Sequence, residues 1–372
     1  MKIGIITYHK SHNYGALLQA IALRIKLVQM GHDVYFIDYW PLYHKQLYDF
    51  FSIKEMFNYG IKDAIKYGLK ILLSYKKRKK RITSFMQFIE EFIQPYCIDY
   101  STNDKFDIII YGSDQIWRKQ PELSNHFDPV YFADNILKAN KHIAYAASMG
   151  NMDLSKKNYD FLKEKVNKFS HISVREEKLK FIMEEVGINS PLVLDPTLLL
   201  TNDIWERVFP IRNMFNERYV LYYRLLRNSF NEKQVADFAQ RLGCKLLILE
   251  GRPRPTIKKD TISSANPIEF ISLIKYADFI FTSSYHGMVF SLIFHKQFFA
   301  SFSENSDRAE SLLTSLDLKD HLIPHKSDIP THIRKIDYTS IDLKINSLRS
   351  LSDAYSGGYP FSISGDIRSV PS

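Results

Sequence analysis

The residues Thr282-Ser283-Ser284-Tyr285-His286-Gly287 carry the densest candidate chemistry in the chain. The apolar run at 277–281 before them reads as a buried strand. Met288-Val289-Phe290-Ser291-Leu292-Ile293-Phe294 after them reads as a buried helix. A histidine and a glycine therefore stand on a strand-to-helix turn, at the edge of an open α/β sheet where ligands bind. The first N–H groups of the following helix have no intrahelical partner and favour an anion. A histidine beside that anion can bind it or move a proton. The plainer reading is a capping turn with a polar surface histidine.

Other residues extend this picture. Arg175 follows a short strand at 171–174. Its guanidinium is suited to a two-pronged grip on a carboxylate or phosphate, or to an ion pair with Glu176 or Glu177. Arg308, in Asn305-Ser306-Asp307-Arg308, starts the last helix and either reaches an anion or lies on the surface. Asp114 ends a buried strand in a Ser-Asp-Gln cluster and is a candidate base. Asn13, on the loop after the first strand, contacts a ligand or serves as a turn residue. Asp195-Pro196 reads as a turn rather than an acid. The sum is a cleft for a small dianion, with a histidine placed to transfer a proton.

Several chemistries find no support. The first loop, 10–15, has one glycine where a dinucleotide fingerprint needs three, so Asp38 at the end of the second strand is a weak ribose ligand. There is no phosphate-loop lysine motif and no Gly-x-Ser-x-Gly elbow. His286 and His295 are not at a metal-binding spacing, and no metal is expected. Cys97 and Cys244 read as free thiols, which with the absent signal pattern points to the cytoplasm.

These residues need a scaffold, and the pattern supplies one. Strands at 3–8 and 34–39 flank a helix at 16–30 closed by Gly31, a βαβ unit that starts a parallel doubly wound sheet. Further strands at 106–111, 141–147 and 171–174 continue it. A Pro-bearing stretch at 191–196 marks a boundary. The alternation then restarts: strands at 219–223, 245–249, 277–281 and 298–301, with helices at 231–242, 267–276 and 306–316. A Pro- and Arg-rich loop lies at 252–255. The expectation is α/β, two Rossmann-like doubly wound domains at 1–190 and 191–345 facing a cleft, and a tail at 346–372.

A helical insert is expected at about 43–95, with apolar residues at helical spacing over 57–75. The net charge of +9 is concentrated there, in Lys76-Lys77-Arg78-Lys79-Lys80-Arg81, and no Asp or Glu falls between Asp63 and Glu90. Such a helix is a solvated face or a contact with an anionic membrane surface. Nothing matches a nucleic-acid module, and no nucleic-acid partner is expected.

In order along the chain, the motifs resemble those of the polysaccharide pyruvyl transferase family. The matching pieces are His12-Asn13-Tyr14-Gly15-Ala16, Gly112-Ser113-Asp114-Gln115-Ile116-Trp117 and Tyr145-Ala146-Ala147-Ser148-Met149-Gly150. Ser173-Val174-Arg175-Glu176, Leu194-Asp195-Pro196-Thr197, Ser284-Tyr285-His286-Gly287 and Asn305-Ser306-Asp307-Arg308 follow. The resemblance spans about 1–325 and implies a fold similar to the GT-B glycosyltransferases. It implies phosphoenolpyruvate as co-substrate, no cofactor, and a cyclic pyruvate ketal on a sugar of a surface polysaccharide or its lipid-linked precursor. It maps the proton donor onto His286 and a donor-binding arginine onto Arg175. Many members have Arg-Leu where this chain has Ser284-Tyr285, so one donor-binding cation is missing, and Arg308 or Lys296 is the candidate replacement. The expected site is then His286 and Asp114 for catalysis and Arg175, Arg308, Ser284, Gly287 and Lys296 for the donor. Asn13, Tyr14, Ser113 and Gln115 are expected to hold the acceptor. The alternatives are a sugar-nucleotide glycosyltransferase on the same architecture, or a non-catalytic member that binds glycan.

Overall fold

The computed structural model describes residues 1–46, 61–123, 126–150, 154–225, 229–253, 260–302, 307–330 and 334–356. Residues 57–60 of the insert, 254–255 of the Arg-rich loop, Asn305 and Ser306, and the tail from 357 lie outside the described residues.

Two parallel sheets form the scaffold. The first contains β1 (Lys2–Ile6), β2 (Asp33–Asp38), β3 (Cys97–Asp99), β4 (Lys105–Asp114), β5 (Lys138–Ala147) and β6 (His171–Val174), in the order β3-β2-β1-β4-β5-β6. The second contains β7 (Tyr219–Arg224), β8 (Lys245–Glu250), β9 (Thr261–Ile262), β10 (Phe279–Thr282) and β11 (Phe298–Ala300), in the order β11-β10-β7-β8-β9. Every pairing is parallel, so each connection crosses over a face, and the doubly wound expectation holds in both halves. The strands are apolar over most of their length because helices cover both faces. The short edge strands β3 and β9 are too brief to stand out in the sequence.

The strand order fixes where a ligand can sit. It reverses between β1 and β4 in the first sheet and between β7 and β10 in the second. At such a switch point the two following connections leave to opposite sides and open a crevice. The segments after β1, β4 and β10 thus border the crevice.

The halves are joined by packing rather than by a loose linker. Tyr14 opens the helix Tyr14–Gln29, stacks on Phe270 with centroids 4.5 Å apart, and donates to the Ala265 carbonyl at 2.8 Å. One core cluster holds Ile3 and Leu17 of the first half with Leu273 and Val289 of the second. The sequence places a tail from 346, but one helix runs Tyr338–Ser356 across that point. It returns to the first half, where Asp353 pairs with Lys26 at 2.8 Å, and to the segment joining the halves, where Ser352 accepts from the Leu194 N–H at 2.9 Å. Buried Ile341 and Ile345 explain why it is fixed.

The insert is mainly one helix, Ile61–Phe92, which also serves the interface. Arg81 turns inward and donates to the Tyr14 hydroxyl at 2.8 Å. No helix among the described residues is long and apolar enough to cross a membrane.

Candidate active site

His286 sits in the first turn of the helix Tyr285–Ile293, directly after β10. It is buried, with 8% of its surface exposed. Its Nε2 lies 3.4 Å from Oδ2 of Asp195. Its ring rests on Gly15 of the other half, where a Cβ would fall 1.9 Å from Nδ1. The requirement for glycine at 15 is therefore steric: the first turn of the Tyr14–Gln29 helix must approach the histidine without a side chain.

Asp195 was the principal residue that sequence reasoning passed over. It caps the short helix Pro196–Leu199, taking the Thr197 N–H at 3.0 Å and the Thr197 hydroxyl at 2.6 Å. That is the turn the sequence suggests. The other oxygen, Oδ2, takes a short contact from Arg175 Nη1 and faces His286. Burial opposes its charge, but His286 and Arg175 outweigh burial and hold the carboxyl far below the usual carboxylate range. A usable signal was present: Leu192-Val193-Leu194 and Leu198-Leu199-Leu200 flank the acid, so it had to be buried, and a buried charge needs a partner.

Arg175 leaves β6 and is enclosed. It bonds Asp195, Ser113 Oγ at 3.3 Å and Asp114 Oδ1 at 3.4 Å. Burial works against its charge, but Asp195 leads the groups that hold its proton more tightly than usual. Neither of the sequence candidates Glu176 and Glu177 is the partner these contacts select. Glu176 is itself buried and accepts from Ser148 Oγ and from the Met149 and Gly150 N–H groups at 2.8, 2.8 and 3.0 Å. It pins the loop after β5.

Asp114 ends β4 with φ of +82°, a conformation few non-glycine residues adopt. Its contacts fall on Oδ1: the Gln115 N–H at 2.8 Å, Arg175 at 3.4 Å and Arg308 Nη1 at 4.0 Å. Arg308 begins the helix Asp307–Ser315 and lies 5.1 Å from the Tyr285 ring centroid. Arg175 lies 5.3 Å from the same centroid. Two guanidiniums therefore approach one aromatic ring, each with the electrostatic attraction of a cation for a π face. Burial, then repulsion from Arg175, lowers the proton affinity of Arg308. A cavity of about 470 Å³ adjoins this group, lined by Arg175, Asp195, Tyr285, Lys178 and Asp307 among others.

The remaining sequence candidates separate. Ser284 is the helix N-cap, and its hydroxyl accepts from the Gly287 N–H at 3.4 Å, so these two residues close the turn on each other. Gly287 is small because a Cβ would meet Thr282 Oγ1 at 2.2 Å. Lys296 is not at the site. The helix carries the chain back to the opposite end of the strands, where Lys296 is half-buried near Asp278, the residue before β10. Asn13 caps the Tyr14–Gln29 helix through bonds from the Gly15 and Ala16 N–H groups at 2.9 and 3.5 Å. Tyr14 is buried in the interface between the halves, where its hydroxyl donates to the Ala265 carbonyl. Ser113 is buried under Arg175 and donates to the Ala146 carbonyl. Gln115 packs against Gly150, where a Cβ would lie 2.6 Å from Nε2. No group of His, Cys, Asp and Glu suited to a metal occurs among the described residues.

The chain belongs to the polysaccharide pyruvyl transferase family: the sequence profile of that family matches residues 13–305. It is therefore a transferase of a family whose acceptors are glycans. No individual curated protein matches it. Among solved structures, it is similar to the UDP-GlcNAc 2-epimerase of Methanocaldococcus jannaschii, at 13% identity and a TM-score of 0.45, with 94% of this chain and 93% of that one covered. It is also similar to the glycosyltransferase SnogD of Streptomyces nogalater, at 11% identity and a TM-score of 0.40, with 95% of each chain covered.

Proposed function

We propose that the protein transfers pyruvate from phosphoenolpyruvate to two hydroxyls of a glycan, forming a cyclic ketal and releasing phosphate. The observation that carries this reading is the grouping of His286, Asp195, Arg175, Arg308 and Asp114, with His286 and Asp114 at the two switch points and the others reaching in from neighbouring segments. Phosphoenolpyruvate brings a carboxylate and a phosphate, and a guanidinium matches either in two-pronged fashion. Arg308 is the better placed for that contact, since Arg175 is occupied by Asp195, Asp114 and Ser113. Of the two candidates for the missing family cation, Arg308 stands beside Tyr285 and Lys296 does not.

The chemistry follows from these roles. His286 gives a proton to the methylene carbon, which becomes a methyl group and leaves the adjacent carbon electron-poor. A sugar hydroxyl attacks that carbon and passes its proton to Asp114, whose Oδ2 takes none of the contacts above. The carbon–oxygen bond to phosphate breaks, and the second hydroxyl closes the ring. Asp114 hands that first proton to the departing phosphate, and the proton of the second hydroxyl restores His286. Fixed guanidiniums stabilise the developing charge without reorganising.

The test is phosphate release from phosphoenolpyruvate across a panel of sugar acceptors. Release that depends on acceptor, with a mass gain of one pyruvate ketal on the sugar, is expected. Absence of calorimetric binding of phosphoenolpyruvate, together with binding of a uridine or guanosine diphosphate, would replace this reading with a sugar-nucleotide transferase.

A further inference from the structure

The basic run on the Ile61–Phe92 helix does not act as one block. Arg81 is buried against Tyr14, and Arg78 donates to Ser74 Oγ at 3.1 Å. The helix buries Ile71, Ser74, Arg81, Phe85 and Phe88, a stripe at helical spacing. The opposite side is unusual. Leu69, Leu72 and Leu73 are 55%, 72% and 65% exposed. Lys76, Lys79 and Lys80 follow on the same face, at the i+3, i+4 and i+7 positions that continue the leucine line. These lysines line a cavity of about 630 Å³ between the helix and Ser264 and Asn266 of the second half. Its one carboxylate, Glu269, is held in the capping box with Asn266.

A solvated helix face explains the lysines but not three adjacent leucines in water. A nucleic-acid contact leaves the leucines without a role. An anionic bilayer accommodates both, with apolar side chains entering the acyl boundary and ammonium groups at phosphate level. The absence of acidic residues between Asp63 and Glu90 removes the repulsion such a surface would otherwise impose.

We propose that this face of the Ile61–Phe92 helix seats the protein on an anionic phospholipid membrane, with Leu69, Leu72 and Leu73 inserted and Lys76, Lys79 and Lys80 at the headgroups. The contact is peripheral and independent of the transfer chemistry. It leaves the buried side of the helix in place against Tyr14 and Phe209.

The test is flotation of the full chain with vesicles of phosphatidylcholine alone and of phosphatidylcholine with roughly one third phosphatidylglycerol. The wild type is expected to float with the anionic vesicles and not with the neutral ones. Lys76→Glu/Lys79→Glu/Lys80→Glu is expected to lower partitioning on the order of a hundredfold. Leu69→Ser/Leu72→Ser/Leu73→Ser is expected to abolish the part of binding that survives high salt. Lys156→Glu/Lys157→Glu, on an exposed helix start elsewhere, is expected to change little. Turnover on a water-soluble acceptor should be unaltered in every variant, which separates this proposal from the transfer reaction. A wild type that does not float, or a lysine variant that floats as well as wild type, overturns the proposal. Binding of the wild type to a single-stranded oligonucleotide but not to vesicles also overturns it.

Discussion

Nε2 of His286 lies 3.4 Å from Oδ2 of Asp195, and the same oxygen is the one that Arg175 engages. One buried carboxylate thus orients both the proposed proton donor and an arginine. Two halves of the molecule meet at this point, since His286 comes from the second sheet and also rests on Gly15 of the first.

His286→Ala is expected to lower kcat by about 10²–10⁴-fold, the usual worth of one general acid. Arg175 keeps the Asp195 carboxylate paired, so the variant should still fold, with thermal unfolding lowered by the loss of a buried ring and its ion-pair contact. Acceptor-dependent phosphate release measures the first quantity and a melting curve the second. A well-folded variant with unchanged turnover refutes the assignment.

Asp195→Asn keeps the shape and the Thr197 cap but removes the charge. Arg175 then keeps Asp114 at 3.4 Å as its remaining acidic contact. Breaking a buried pair from one side costs about 3 kcal/mol or more. Denaturant unfolding near neutral pH should show that loss. The sign of the pH dependence follows from the depressed carboxyl: its stabilisation is full above the ordinary carboxylate range and fades as pH falls below it, because the unfolded chain takes the proton first. The variant should lose this acid-side slope.

Much of this was legible in the sequence, and the gaps have physical causes. Alternating apolar runs and helical periods give both sheets, because parallel strands covered on two faces are apolar throughout. The three-residue β3 and two-residue β9 are too short for any period to register. The helix Tyr338–Ser356 was obscured by its serines: Ser340, Ser347 and Ser350 are exposed, and Ser352 accepts from the Leu194 N–H. His286, Arg175, Asp114 and Arg308 draw notice in the sequence because each borders a strand end or helix start, and the fold brings them together around Asp195. Asp195 was missed because its cap and its ion pairs use different oxygens, and only the cap leaves a local signature. Lys296 was misplaced because distance along a helix is not distance to a site.

His12 and His44 give a second pH window. Burial, with Arg81 nearby for His12, lowers each imidazole to about 4 from an ordinary 6.5. The folded protein therefore keeps both neutral while the unfolded chain protonates. Stability should fall as pH drops from about 6.5 toward 4, by on the order of 2 kcal/mol for each histidine. Comparing urea midpoints at pH 7 and pH 5 checks it, and His12→Gln with His44→Gln should flatten the difference. An unchanged difference in a folded double variant would show that other groups carry it.

Arg308→Ala tests the proposed contact of this guanidinium with the donor. A hydrogen bond to a charged group contributes about 1.5–3 kcal/mol, which corresponds to roughly 10- to 150-fold in affinity. The dissociation constant of phosphoenolpyruvate should rise by such a factor in calorimetry. Arg308→Lys should recover part of the loss, since a point charge lacks the fork that grips two oxygens. Lys296→Ala, at the opposite end of the strands, should leave donor affinity unchanged. The reverse pattern would return the donor contact to Lys296 and require the helix Tyr285–Ile293 to move.

Gly15→Ala probes the contact across the two halves without touching any charged group. The added Cβ would stand 1.9 Å from Nδ1 of His286, so the ring must rotate away from Asp195. Alanine at the second position of the Tyr14–Gln29 helix favours the helix itself. The variant should thus fold, bind phosphoenolpyruvate and turn over at least about tenfold more slowly. If the glycine acts only through the histidine, Gly15→Ala/His286→Ala should be no slower than His286→Ala alone, the non-additivity expected of two residues in contact. Additive losses in that cycle would mean that Gly15 serves the reaction by some route other than the imidazole.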